Sequence, residues 1–156
     1  MFIENLCQEL NKNKVAYAIV GGHAVAFHGA VRGTLDIDFI VKWNKKNLIK
    51  AVEVLTSLGL QSRLPLKPEE VFDFRDEYIK NKNLIAWNFY NPNNLLEQVD
   101  IIITKDLDDY KMKKIKSSGV EIHLLSLDSL IKMKEEAGRK QDIEDVKSLK
   151  RIKNEK

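Results

Sequence analysis

Two aspartates separated by one apolar residue, Asp36-Ile37-Asp38, are the residues of this 156-residue sequence most suited to chemistry. They sit in the run Leu35-Asp36-Ile37-Asp38-Phe39-Ile40-Val41, whose composition favours a strand, and on a strand residues two apart project from the same face. Both carboxylates then point to one place, while Ile37 and Phe39 point to the other. Like charges held that close repel each other. A divalent cation between them removes the repulsion, and oxygen-only ligands favour magnesium or manganese. The alternative is an edge strand whose acids face water. A third acid, Asp100, lies in the strongly apolar stretch Val99-Asp100-Ile101-Ile102-Ile103, where an unpaired buried carboxylate is strongly unfavourable. If the two strands are neighbours, the three carboxylates can hold two metal ions around a phosphoryl displacement. If Asp100 ends its strand, after Glu97 and Gln98, it faces solvent. Gly21-Gly22 closes a short apolar strand, where a backbone free of side chains can approach a phosphate and offer it N–H groups, or simply turn.

In order, Val20-Gly21-Gly22, a gap of 13 residues, Asp36-Ile37-Asp38 and a later Val99-Asp100-Ile101 resemble the signature of the nucleotidyltransferase superfamily of the DNA polymerase beta type. The form Arg32-x-Thr34-x-Asp36-Ile37-Asp38 is similar to the minimal bacterial branch that includes the toxin nucleotidyltransferases of abortive-infection systems. So is the later pattern of Leu130-Ile131, Lys134 and Gly138-Arg139-x-x-Asp142-x-x-Asp145. The resemblance runs from about residue 15 to 149. It implies an α/β (α+β) nucleotidyltransferase fold, a mixed sheet flanked by helices and followed by C-terminal helices. It also implies a nucleoside triphosphate substrate with its phosphates over Gly21 and Gly22, and Mg2+ or Mn2+ on the catalytic acids Asp36, Asp38 and Asp100. Arg32, Thr34 and Lys134 become the phosphate-binding residues. A nucleoside monophosphate would then pass to a hydroxyl of RNA, a protein or a small molecule, in a toxin–antitoxin or phage-defence setting, with a toxin or antitoxin partner or a homodimer helping to hold the acceptor. A non-catalytic member of a toxin–antitoxin pair that keeps the fold is the alternative. Gly22 stands where serine is the other common choice, which removes one hydroxyl contact to phosphate. Arg139 and Asp142, three apart at a helix start, suit an ion pair or cap better than catalysis. His23 suits a packed or surface position better than a phosphate contact.

The elements that must position these residues follow from periodicity and punctuation. Helices are expected over residues 2–10, 23–30, 44–58, 68–80, 106–118, 127–137 and 141–152, and strands over 15–20, 35–41, 84–90, 97–104 and 120–125. Asn91-Pro92-Asn93-Asn94 favours a turn, so the strands on either side should pair antiparallel. The length suits one domain over 1–156 that includes the terminal helices. Apolar residues make up 44% and charged residues 31%, as in an ordinary globular protein, and no apolar run approaches a membrane span. The first residues carry acids and amides where a secretory signal has a basic patch and an apolar run, so a cytoplasmic location is expected. One cysteine, Cys7, allows no internal disulfide. The formal charge of +3 divides unevenly, net −2 through Tyr110 and net +5 from Lys111 onward. The Lys111–Lys116 run is read as a solvated helix face, with an RNA-binding surface as the alternative.

Overall fold

The computed structural model describes residues 1–30 and 33–155. A seven-stranded mixed sheet runs in the order β3-β4-β5-β2-β1-β7-β6. Its centre is β1 (Tyr17–Val20), β2 (Ile37–Val41) and β5 (Asn94–Ile102), with β7 (Val120–Leu125) beyond β1. β1 pairs antiparallel with β2, whereas β2 with β5 and β1 with β7 are parallel. Period-two alternation gives the sheet two unlike faces. Ile37, Phe39, Trp87, Phe89, Val99 and Ile101 are all buried on one of them. The other presents Asp38 and Asp100.

Helix α1 (Phe2–Lys12) forms because Ile3, Leu6, Cys7 and Leu10 recur on one buried stripe, which packs against β7. α3 (Lys45–Ser57) starts where the Asn44 side chain accepts the Asn47 N–H at 2.8 Å. Asn47 then bonds both backbone groups of Ala16, which ties α3 to the end of β1 remote from the glycines. α4 (Pro68–Asp73) and α5 (Arg75–Lys82) replace the single helix expected over 68–80, with a break at Phe74. A two-residue strand, β3 (Gln61–Ser62), pairs with β4 (Ala86–Asn91), and Trp87 Nε1 donates to Ser62 Oγ at 2.8 Å. β4 and β5 form the expected antiparallel pair.

The helix expected over 106–118 is absent. A single 3-10 turn, Leu107–Asp109, leads into strand β6 (Met112–Ser117), the antiparallel partner of β7. The cause is the two-residue turn Ser118-Gly119, whose φ values of +50° and +79° match the hairpin turn that agrees with strand twist. That pairing overrides the helix propensity of the lysines. The run therefore lies along an edge strand of the sheet.

α6 (Leu127–Ala137), capped by Ser126, packs against α7 (Lys140–Asn154). The Asp142 carboxylate accepts from the Arg139 backbone N–H at 3.1 Å and from its Nε at 2.7 Å, a cap and ion pair of the kind expected of residues three apart at a helix start. Among the described residues no helix is long and apolar enough to cross a membrane.

Candidate active site

Strand register assembles the acids. β1 places Val20 opposite Asp38, and β2 places Asp38 opposite Asp100, so both carboxylates project from the same sheet face on adjacent strands. Asp36 precedes β2 and is half-buried beside them. On the far side of Asp100, Asn88 of β4 is its cross-strand partner and donates from Nδ2 to Asp100 Oδ1 at 2.8 Å.

The electrostatics follow from that crowding. Asp38 is pushed up to about 7, first by burial, then by the charge of Asp100 and a hydrogen bond with it, then by Asp36; Lys134 offsets only part of this. Asp36 is also raised, by burial and by Asp100, against smaller opposing effects from Arg63 and His23. Among the described residues, no three acidic, histidine or cysteine side chains are drawn closely enough around one point to enclose an ion. Asp38 and Asp100 are the close pair, and Asp36 acts on them through its charge.

A stability prediction follows for the protein held in chelator. In the folded state Asp38 keeps its proton up to about 7, whereas the unfolded chain releases it near the ordinary 3.8. The folded state thus binds the extra proton between those values, so stability falls as pH rises through the window and levels off above it. On the order of 2 kcal/mol, or about 5 °C in melting temperature, is expected to be lost between pH 4.5 and 8 from this group. Calorimetric melts of the wild type and Asp38→Asn check it: the variant should lack this share of the slope.

The glycines are fixed by what surrounds them. Gly21 has φ +67°, and a Cβ there would run into Asp38 Oδ2 and come within 3.0 Å of its Cγ. A Cβ on Gly22 would lie 2.7 Å from Thr34 Cβ and 2.9 Å from its Oγ1. Thr34 thus fills the space a serine side chain at position 22 would need. Its hydroxyl donates to the Asp36 carbonyl at 3.4 Å. Gly21→Ala is expected to destabilise by about 2 kcal/mol, from the left-handed backbone and the collision with Asp38 together, as a urea melt would show.

Other expected site residues are placed differently. Lys134 is 7% exposed, and its ammonium lies 3.1 Å from Asp145 and 3.4 Å from Asp142, two ion pairs with which any phosphate contact would share it. Its charge reaches Asp38 nevertheless. Burial pushes Asp142 up, but the Arg139 hydrogen bond and charge, with Lys134, outweigh it and hold the carboxyl below its usual value. Arg32 lies outside the described residues. His23, in α2 (Gly21–Phe27), is half-buried with Nε2 3.5 Å from the Leu35 carbonyl. Sequence reasoning passed over Asn88 and Arg63. Asn88 alternates with the buried Trp87 and Phe89, which marks it as facing away from the core, but only strand register reveals that it meets Asp100.

The family model described as "Nucleotidyltransferase of unknown function (DUF6036)" matches residues 2–154. None of the curated proteins matches the chain in sequence. Among solved structures, an antigenic nucleotidyltransferase-like protein from Paracoccidioides brasiliensis superposes with a TM-score of 0.58 at 18% identity, over 94% of this chain and 72% of that one. The lincosamide antibiotic adenylyltransferase LnuA with lincomycin bound gives 0.58 at 17% identity, over 92% of this chain and 90% of its own. ANT(2″)-Ia in complex with adenylyl-2″-tobramycin gives 0.59 at 12% identity, over 94% and 84%. At these identities the likeness is one of fold.

Proposed function

Because the chain belongs to the DUF6036 family of nucleotidyltransferases, we propose that it moves a nucleoside monophosphate from a triphosphate to an acceptor hydroxyl, using Asp36, Asp38 and Asp100. The observation that carries this is the register of Asp38 opposite Asp100 beside a glycine that admits no side chain. Asp38 and Asp100 are close together with Asp36 beside them, their crowding raises Asp38 and Asp36, and among the described residues no cation is bound directly between them; such a site suits a hard divalent ion, Mg2+ or Mn2+. Bound there, such an ion would neutralise the acids and polarise the phosphoryl oxygens.

The chain's own groups supply the rest. The triphosphate would lie against the backbone at Gly21 and the start of the following helix, while Thr34 fills the space beside Gly22. Arg32 is a phosphate contact implied by the sequence resemblance. Lys134 contributes its charge from within the ion pairs with Asp142 and Asp145. Asn88 holds Asp100 Oδ1, orienting the carboxylate that would take the proton of the acceptor hydroxyl. The acceptor oxygen forms a bond to the α-phosphorus as the bond to the β-phosphate oxygen breaks, and pyrophosphate leaves with that electron pair. An adenylyl donor accords with the two antibiotic adenylyltransferases that share the fold. We place the reaction in the cytoplasm, in a toxin–antitoxin or phage-defence setting in which a partner protein or a second copy helps hold the acceptor.

Purified protein with magnesium and labelled triphosphates should transfer label to an acceptor present in a cell extract. Failure to bind a magnesium–triphosphate in calorimetry, together with tight capture of a protein partner, would instead favour a non-catalytic member of such a pair.

A further inference from the structure

The face that carries Asp100 continues as a polar row across the open side of the sheet. Asn88 joins Asp100 to Arg63, donating to the carboxylate at 2.8 Å and accepting from Arg63 Nε at 2.7 Å. Arg63 Nη2 also donates to Gln98 Oε1 at 3.4 Å, and the guanidinium lies over the Tyr90 ring, 4.4 Å from its centre. Gln98 and Tyr90 are themselves cross-strand partners on this face. Their neighbours on the opposite face, Phe89 and Val99, are buried, whereas Asn88, Tyr90, Gln98 and Asp100 are half-buried and Arg63 is exposed. Among the described residues, no carboxylate forms an ion pair with Arg63. Its plane is set by two neutral amides and a ring, and its charge, which acts on Asp36 only from a distance, is not taken up by an ion pair.

The strand order gives this feature a direction. Gly21 follows β1, Asp38 is on β2, Asp100 on β5, Asn88 on β4 and Arg63 just beyond β3, so the row leads away from the glycines through the acids. A triphosphate over Gly21 and Gly22 leaves the β5 to β3 side for the acceptor. Two hydrogen bonds in series set the guanidinium roughly 7 Å from the Asp100 carboxylate, within the reach of one nucleotide. An arginine plane on an aromatic ring, on an open surface, is the arrangement on which single-stranded bases stack and to which their phosphates bond. A small molecule would be little enclosed there.

Resting on the nucleotidyltransferase reading above, we propose that Arg63 and Tyr90, held by Asn88 and Gln98, bind the terminal nucleotide of a single-stranded nucleic acid and present its 3′-hydroxyl to Asp100. The acceptor is then a nucleic-acid end rather than a protein or a drug-like molecule.

Fluorescence anisotropy with a labelled RNA hexamer and a DNA hexamer of the same sequence, both ending in a 3′-hydroxyl, tests this on the full chain without metal. Magnesium–ATP binding is measured in parallel by calorimetry. Arg63→Ala should weaken binding of at least one hexamer about tenfold. Tyr90→Leu, which keeps both amide partners of Arg63, should weaken it about threefold and serves if the first variant folds poorly. Wild type that binds ATP but neither hexamer, or variants that bind both hexamers like the wild type, would overturn the assignment. Wild type that binds no magnesium–ATP would overturn the transferase reading on which it rests.

Discussion

Asp38→Asn is expected to lower nucleotidyl transfer by roughly 10³-fold while raising the melting temperature of the metal-free protein at pH 8. The two effects have one origin. Asp38 is the acid most strongly crowded by its neighbours, with the charges of Asp100 and Asp36 both acting on it as it loses water. In the resting protein that crowding is a liability, and an amide of the same shape removes it. In the proposed mechanism the same negative charge would attract a divalent ion, and losing several kcal/mol of stabilisation of the reacting phosphate corresponds to a thousandfold or more in rate. Transfer of labelled nucleotide, calorimetric melts with and without magnesium, and circular dichroism as a check on folding measure the pair of effects. A variant that is inactive and also less stable would point to a structural role for Asp38. One that keeps its activity would remove the acid from the mechanism.

Lys134→Ala should have the largest effect on stability. Its ammonium sits between Asp142 and Asp145, whose side chains are 1% and 4% exposed. Removing one partner from a buried ion pair typically costs about 3–5 kcal/mol, because the remaining charge is left without compensation. A fall of about 10 °C in melting temperature is expected. The triple variant Lys134→Met, Asp142→Asn, Asp145→Asn should recover most of that loss, since it removes all three charges together. Thermal melts give the stability comparison, and the triple variant then separates two roles for the lysine. If it recovers stability but not transfer, the Lys134 charge also serves the triphosphate; if it recovers both, the lysine only joins α6 to α7.

What could be read in the sequence was local. Alternation placed Asp36 and Asp38 on a strand, and the apolar residues around Asp100 made it a strand acid, because side-chain period is a property of neighbouring residues. Whether Asp100 faced Asp38 depended on a parallel pairing between segments some sixty residues apart, which no local pattern encodes. Asn88 became visible only through that same sheet. The lysines after Tyr110 misled for the opposite reason. Lysine favours helices on its own account, while Ser118-Gly119 supplied a hairpin turn that the propensity outweighed when residues were read singly. Lys134 belonged to the same basic segment, and its net charge suggested a phosphate partner. Its ion-pair partners, Asp142 and Asp145, recur three apart on one side of α7; in the sequence Asp142 reads as an ion-pair or cap partner of Arg139, and Asp145 only as part of the family-like pattern.

The edge position of β6 bears on how copies of this protein can associate. An unpaired edge strand invites another chain to extend the sheet, but Met112–Ser117 carries Lys113, Lys114 and Lys116 along its length. A second copy pairing with itself through this edge would set rows of ammonium groups beside one another, which disfavours the contact and guards the sheet against end-to-end polymerisation. Self-association by extension of the sheet at β6 is disfavoured for that reason.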